Sequence, residues 1–172
     1  MWRYKFGAWA VVVLLSALSL AACSDDDDDN KDTFVPPSNI VVALKQLYPS
    51  AQDIEWKVKG VYYVADCRVN DDELEVWFNA DASWMMTENE LDGIEDLVPA
   101  VYTAFIESEY SSWTVTDVYV LDYPQQPSES VVQVKQGNQR YALYFSQEGG
   151  LLHKRDISNG DDTNWPPTDG FW

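Results

Sequence analysis

The feature that most limits how this chain can fold is a short pattern that occurs twice. Residues 74–79 (Leu-Glu-Val-Trp-Phe-Asn) place Leu, Val and Phe at every second position, as expected for a strand with one buried face. Residues 141–146 (Tyr-Ala-Leu-Tyr-Phe-Ser) match them at an offset of 67 residues, and residues 149–152 match 82–85 at the same offset. Two degenerate copies of one α+β unit are therefore predicted.

A second match between the copies shows where their lengths differ. Residues 48–50 (Tyr-Pro-Ser) match 110–112 (Tyr-Ser-Ser) at an offset of 62 residues. The second copy therefore contains about five extra residues, and the composition of 124–127 (Pro-Gln-Gln-Pro), which is typical of a turn, indicates that the insertion lies there.

The pattern in each copy predicts a helix followed by four strands. In the first copy an apolar stripe and a Ser or Asn cap predict a helix that ends before Pro49, and in the second copy Pro99 suits the first position of a helix reaching about Glu109. Alternation and β-forming bulk then predict strands at 54–59, 61–69, 73–78 and 84–86, and at 113–122, 129–135, 139–146 and 150–155.

Short polar segments predict the turns between these strands. Residues 70–72 and 79–83 are small and polar, and Gly137-Asn138 tolerates the positive φ of a hairpin turn. Thr87 and Glu90 stand at the spacing of a capping box, so a helix start is expected at Thr87.

The first 22 residues have the composition of a secretory signal. Arg3 and Lys5 precede an apolar run from Ala8 to Ala22, which is too short to cross a bilayer comfortably. The run ends in Leu-Ala-Ala-Cys, which resembles a bacterial lipobox and implies cleavage before Cys23 and lipidation of its thiol. An ordinary signal followed by a coincidental cysteine is the alternative.

An acidic run follows the lipidation candidate. Residues 25–29 are all Asp, and such a run stays solvated, so 23–37 are predicted to form a tether. Ser24 with this run also resembles the surface-export signal of Bacteroidota lipoproteins, which implies an outer membrane lipoprotein exposed at the cell surface. A calcium loop is the alternative, but the ligand spacing and turn glycine of such loops are missing.

The charge of the chain excludes one class of partner. The formal net charge is −18, so the surface repels phosphate backbones and nucleic-acid binding is not expected. The same acidity favours a partner with a basic surface, although it also serves solubility alone.

The order of motifs resembles a known family. The residues that carry the likeness are Leu47-Tyr48-Pro49-Ser50-Ala51, Ile54-Glu55-Trp56, Tyr63-Val64, Leu74-Glu75-Val76-Trp77-Phe78, Ser83-Trp84, Thr87-Glu88-Asn89-Glu90-Leu91 and Leu97-Val98-Pro99-Ala100-Val101. They resemble the β-lactamase-inhibitor-like (BLIP-like), PepSY-like family of secreted Bacteroidota proteins. The match is good over 40–105 and looser over 106–157. The sequence departs from the family pattern at Ala82, a position where a turn glycine is common in the family.

The resemblance implies a fold and no enzyme activity. It implies an α+β fold in which helices pack on one face of an antiparallel sheet, here as two tandem PepSY-like α-β-β-β-β units. The predicted organisation is a lipoprotein signal peptide (1–22), an acidic tether (23–37), a PepSY-like domain (38–157, with units of about 38–94 and 95–157) and an aromatic C-terminal tail (158–172).

A search for catalytic and metal-binding patterns gives little. The single histidine, His153, lies beside Lys154 and Arg155 and is interpreted as a surface residue, so no triad, metal site or cofactor is predicted. Cys67 falls mid-strand and is predicted to be a buried small residue without a disulfide partner. Asp71 and Glu73 are a conceivable acid–base pair, but nothing distinguishes them from the other carboxylates.

Aromatic residues among carboxylates form the candidate binding surface. Trp77 shares a strand face with Glu73 and Glu75, and Tyr144 is its counterpart in the second copy. Such a face can stack on sugar rings or receive the apolar side chains of a protein partner, but cover by the tail or a helix is the interpretation that the sequence favours. The tail contains three large aromatic residues within 158–172, so folding back onto the sheet is predicted, with partner docking as the alternative.

The sequence therefore predicts a monomeric, non-enzymatic surface lipoprotein anchored in the outer membrane. Its predicted role is protein interaction or inhibition, with an extracellular protein of basic surface as the partner. The alternative is a glycan- or peptide-binding accessory protein of a nutrient-uptake system, which would require a concave aromatic cleft. An enzyme with a carboxylate pair deep in a pocket is the third hypothesis.

Overall fold

A computed structural model describes residues 34–167 of the 172-residue chain. The predicted signal peptide, the lipidation of Cys23, the acidic run and the last five residues of the tail lie outside the described residues. Of the predicted tether, Phe34 stacks on Tyr63 with ring centroids 6.0 Å apart, and Pro36 is buried. The end of the tether is therefore packed against the domain.

Within residues 34–167, two α-helices form where the sequence has stripes of apolar residues. Helix α1 spans Ser38–Leu47 and buries Ile40 and Leu44, which lie one turn apart. Helix α2 spans Pro99–Ile106, begins with a proline at a position that needs no amide donor, and buries Val101 and Phe105. A short 3-10 helix, Ile94–Asp96, precedes it.

In the described part of the chain, eight strands form one antiparallel sheet in chain order. Every strand pairs with its sequence neighbours, and the turns use positive φ at Asn70, Ala82, Gln125 and Gly137. The strands are β1 (Gln52–Lys59), β2 (Tyr62–Val69), β3 (Asp72–Phe78), β4 (Trp84–Glu90), β5 (Thr114–Tyr123), β6 (Gln126–Gln136), β7 (Gln139–Ser146) and β8 (Leu151–Asp156).

Both helices pack on one face of the sheet. Helix α1 covers the part of this face formed by β2 and β3, where Val76 and Phe78 are buried, and α2 covers the part formed by β5, β6 and β7, where Leu143 is buried. Cys67 is buried beneath α1, as predicted, and is not in a disulfide. The predicted α+β fold, with helices on one face of an antiparallel sheet, is confirmed.

The opposite face is covered by the C-terminal strap, which we define as residues 158–167. The buried residues of this sheet face form one apolar cluster: Val64, Trp77, Met86, Leu121, Tyr123, Val131, Ala142, Tyr144 and Ile157. The strap crosses this face from the β7–β8 side, where Arg140 pairs with Asp162, to the β1–β2 turn, where the Trp165 ring lies against Gly60. The prediction that the tail folds back is confirmed for these residues.

The predicted helix start at Thr87 is wrong, because β4 continues through Glu90. Thr87 is 1% exposed, and its hydroxyl accepts hydrogen bonds from Tyr48 Oη and Trp84 Nε1, both at 3.0 Å. Its backbone pairs with Val76 of β3 and Asp122 of β5. Hydrogen bonding to strands on both sides stabilises the extended backbone of Thr87. A capping box stabilises only a segment whose first helical amides are unpaired, so it has no effect here.

Candidate interaction surfaces

Trp77, the best candidate from the sequence for an exposed aromatic residue, is instead buried under the tail, which is the alternative stated with it. It alternates with glutamates as expected, but its side chain is 0% exposed because the strap lies over it. Trp165 contacts it edge-on with ring centroids 5.6 Å apart, Tyr62 does so at 5.9 Å, and Lys59 Nζ lies 5.0 Å from the Trp77 ring centroid. Trp77 is therefore a core residue of the covered face.

Tyr144, predicted to be the exposed counterpart of Trp77, is also buried. Its hydroxyl donates a hydrogen bond to Asn164 Oδ1 at 2.9 Å, and His153 stacks on its ring with centroids 4.1 Å apart. Burial raises the pKa of Tyr144, with an opposing contribution from Arg155. His153 is thus half-buried, and burial together with Arg155 lowers its pKa.

The two glutamates of the predicted surface differ in their surroundings. Glu73 is exposed, whereas Glu75 accepts hydrogen bonds from Lys57 Nζ at 2.5 Å and Lys59 Nζ at 2.6 Å. Burial alone would raise the pKa of Glu75, but these two ammonium groups lower it below its ordinary value. Of the four predicted residues, Glu73 alone remains accessible and free of such a pair in the described contacts.

Glu73 lies at the edge of a larger feature, which we call the acidic groove. The groove has a volume of about 980 Å³ and lies where the β2–β3 turn, the segment after β4 and the start of β5 come together. Eight carboxylates line it, and none of the described lining residues is Lys or Arg. They are Asp71, Asp72, Glu73, Glu90, Asp92, Glu95, Asp96 and Asp117.

The carboxylates of the groove influence one another. Partial burial and the neighbouring charges of Asp117 and Glu73 raise the pKa of Glu90. Accumulated like charge of this kind gives a strong negative potential at a concave surface, and such a surface attracts cationic groups. The groove could not be predicted from the sequence, because its carboxylates come from three segments that come together only in the folded sheet.

A second, smaller cleft lies beside the strap. It has a volume of about 220 Å³ and is lined in part by Lys59, Glu75, Glu88 and Tyr119. Glu88 accepts a hydrogen bond from Asn164 Nδ2 of the strap at 2.6 Å. Neither Glu88 nor Asn164 was singled out by the sequence, since their proximity depends on how the strap crosses the sheet.

The described residues contain no cluster of side chains placed to bind a metal ion: within 34–167, no group of three or more His, Cys, Asp and Glu side chains has that arrangement. Asp71 and Glu73, the pair considered from the sequence, are both exposed at the groove margin. In the same range, no helix has the length and apolar character needed to cross a membrane.

Over residues 34–167 the chain has an α+β fold of the BLIP-like kind, with one eight-stranded antiparallel sheet and two α-helices. Residues 61–153 match the model of the family described as "Putative beta-lactamase-inhibitor-like, PepSY-like", and the chain belongs to this family. The resemblance proposed from the sequence is thereby confirmed. A comparison with curated proteins gives no significant match.

Solved structures of Bacteroides proteins share this fold. A BLIP-like protein from Bacteroides fragilis is 54% identical, with a TM-score of 0.75 over 82% of this chain and 100% of that one. A DUF2874 family protein from Bacteroides ovatus is 32% identical, with a TM-score of 0.72 over 75% and 93%. A protein from Bacteroides eggerthii, described as "putative periplasmic", is 31% identical, with a TM-score of 0.70 over 75% and 94%.

Proposed function

We propose that this protein is a non-enzymatic, lipid-anchored module of the cell surface that binds a protein partner through the acidic groove. The observation that carries the proposal is the groove itself, in which eight carboxylates line a concave surface of about 980 Å³. A basic partner would be drawn to this potential and would neutralise it on docking. Inhibition of an extracellular hydrolase is one form that such an interaction could take.

The lipid anchor and the export of the chain complete this proposal. Cys23 follows a signal-like segment and is the proposed site of lipidation, and 24–33 would carry the domain away from the outer membrane. The "putative periplasmic" description of the Bacteroides eggerthii relative supports export across the cytoplasmic membrane. The surface location remains part of the proposal.

We also infer that the sheet comprises two tandem copies of one unit. The element order supports this, since α1 is followed by four strands and α2 is followed by four more. The offset of 67 residues between the two strand–turn–strand patterns supports it as well. The acidic groove lies near the junction of the proposed copies, where β4 pairs with β5.

The alternative is a glycan- or peptide-binding accessory protein, and the composition of the groove favours a polypeptide ligand over a glycan. Sugar rings are held by stacking on exposed aromatic faces, whereas the groove lining consists of carboxylates and a few aliphatic side chains. The aromatic face that could have served this purpose, with Trp77 and Tyr144, lies under the strap.

The test is cross-linked capture from intact cells with full-length lipoprotein. The groove variant is Glu73→Lys, Glu95→Lys, Asp96→Lys, and the control changes three exposed glutamates outside the groove: Glu107→Lys, Glu109→Lys, Glu148→Lys. We expect one recurrent basic protein with the unmodified chain and the control, and at least a roughly tenfold loss with the groove variant. Equal capture by all three proteins would contradict the proposal.

A further inference from the structure

Exposed apolar side chains gather at one corner of the sheet, around the β1–β2 turn. We define this apolar corner by five residues: Phe34, Val35, Val58, Val61 and Trp165. They are five of the twelve exposed large hydrophobic residues within 34–167, and Val35 and Val61 are 80% and 76% exposed. Single apolar residues scattered over a surface are ordinary, whereas a group of them indicates a contact surface.

The described contacts hold the residues of the corner side by side. The Phe34 ring stacks on Tyr63, which is the cross-strand partner of Val58. Val61 lies in the two-residue turn between β1 and β2, and a Cβ added to the glycine of that turn would lie 3.1 Å from the Trp165 ring. The start of the described chain, the turn and the strap therefore meet at one place.

The segments that form the corner contain no carboxylate. Residues 34–52, 56–65 and 163–167 include neither Asp nor Glu, although the chain has 29 acidic residues. A surface that binds a basic protein would carry carboxylates, as the acidic groove does. The corner instead has the composition of a surface that contacts an apolar environment.

The corner and the acidic groove lie at opposite ends of the sheet. Strand β2 runs from the turn at the corner to the β2–β3 turn, where Asp71 and Asp72 line the groove. The eight residues of β2 span about 25 Å. A contact made through the corner therefore leaves the groove open to a partner.

The chain enters the described structure at the corner. Only residues 24–33 separate Phe34 from Cys23, the proposed site of lipidation. Fully extended, this segment spans at most about 35 Å, and it also allows the domain to lie against the bilayer. Because such a short tether keeps the corner at a high local concentration near the lipid, a weak apolar contact is enough for docking.

We propose that the apolar corner docks on the phospholipid bilayer to which the chain is anchored and thereby holds the acidic groove facing away from the membrane. This inference rests on the lipid anchoring proposed above and extends it from attachment to orientation. Tryptophan and phenylalanine rings are favoured at the boundary between headgroups and acyl chains, and exposed valines add apolar area there. A docked domain presents the groove to a partner in solution.

The test uses the full-length lipoprotein in phosphatidylcholine vesicles, whose zwitterionic headgroups do not repel an acidic chain. Val61→Cys carries an environment-sensitive fluorophore. The control is Asn138→Cys, the equivalent residue of the Gly137-Asn138 turn at the groove end of the sheet. Cys67 is buried, and Cys23 would carry the lipid on its sulfur, so neither takes up the label. We expect nitroxide-labelled lipid to quench the first fluorophore at least roughly threefold more strongly than the second.

A charge substitution tests whether the apolar side chains cause the docking. With the fluorophore at Val58→Cys, the change Val35→Asp, Val61→Asp should lower the quenching to the level of the control turn, because a charged side chain stays in water. The matched control is Val42→Asp, Val98→Asp, which changes two exposed valines, one in α1 and one just before α2. It should leave the quenching unchanged.

The outcomes separate this inference from the proposed function. Equal quenching at the two turns, in chains that float with the vesicles, would overturn the docking and leave the anchor and the groove unaffected. Chains that do not float would overturn the anchor and, with it, the docking. Shielding of position 61 in the absence of lipid would assign the corner to a second copy or to residues 168–172, and would overturn the docking as well.

Discussion

At the scale of single residues, the contact between Trp77 and Trp165 joins the strap to the covered face of the sheet. The alternation in β3 correctly placed Leu74, Val76 and Phe78 on one face and Trp77 on the other. It could not predict the burial of Trp77, because the cover comes from Trp165, which lies 88 positions further along the chain. A contact between residues this far apart in the chain leaves no pattern in the sequence around either residue.

The burial of Trp77 leads to a prediction about stability. Trp77→Ala should lower the free energy of unfolding by about 3–5 kcal/mol, because it leaves a cavity between the sheet and the strap. Trp165→Ala should cost clearly less, since Trp165 is 42% exposed. Urea denaturation of both variants provides the measurement. Equal losses of unfolding free energy in the two variants would contradict the assignment of Trp77 as the buried member of the Trp77–Trp165 pair.

At the scale of elements, seven of the eight strands were predicted close to their observed positions because alternation and turn residues are local signals. The eighth, β4, was predicted to end at Met86 and extends to Glu90. Thr87 and Glu90 satisfy a capping pattern, but their strand conformation comes from pairing with Val76 and Tyr119, respectively. Strand pairing of this kind depends on distant segments and overrides local preference.

The β3–β4 turn supplies a prediction at this scale. Ala82 has a φ of 62°, a left-handed conformation in which the methyl group of alanine is unfavourable. Ala82→Gly should therefore raise the free energy of unfolding by about 0.5 kcal/mol, the relief of strain exceeding the loss of a partly buried methyl group.

A helical alanine serves as the matched control for this turn. Ala104→Gly in α2 should lower the free energy of unfolding by about 1 kcal/mol, because glycine is a poor helix former. Both values come from the same thermal or urea unfolding measurement. Destabilisation by Ala82→Gly as large as that by Ala104→Gly would contradict the role assigned to the turn.

At the scale of the whole molecule, the sequence predicted the fold class and the family but not the acidic groove. Its net charge of −18 indicated an acidic surface without showing where the carboxylates would gather. The groove forms because β4 and β5 pair across the junction of the two proposed copies and bring residues 71–73, 90–96 and 115–118 together. The prediction of Glu73 as a surface residue therefore identified only one residue at the margin of the groove.

The proposed anchor gives a prediction for the intact protein. Cys23→Ser removes the thiol that would carry the lipid, so the chain should move from the membrane fraction to the soluble fraction. Cys67→Ser is the control, since Cys67 is buried in the domain and should not affect fractionation. Fractionation of cells followed by immunoblotting measures both. Retention of Cys23→Ser in the membrane fraction would contradict lipid anchoring at this residue.

Site-specific photo-cross-linking tests the central claim, binding through the acidic groove, most directly. A photoreactive amino acid would replace Glu95 in the groove or, as the control, Glu107 on the exposed surface after α2, in chains expressed in intact cells. The account predicts a discrete cross-linked species from position 95 that contains a basic protein and weakens as salt is added, with none from position 107. The same species from both positions, or none from position 95, would contradict it.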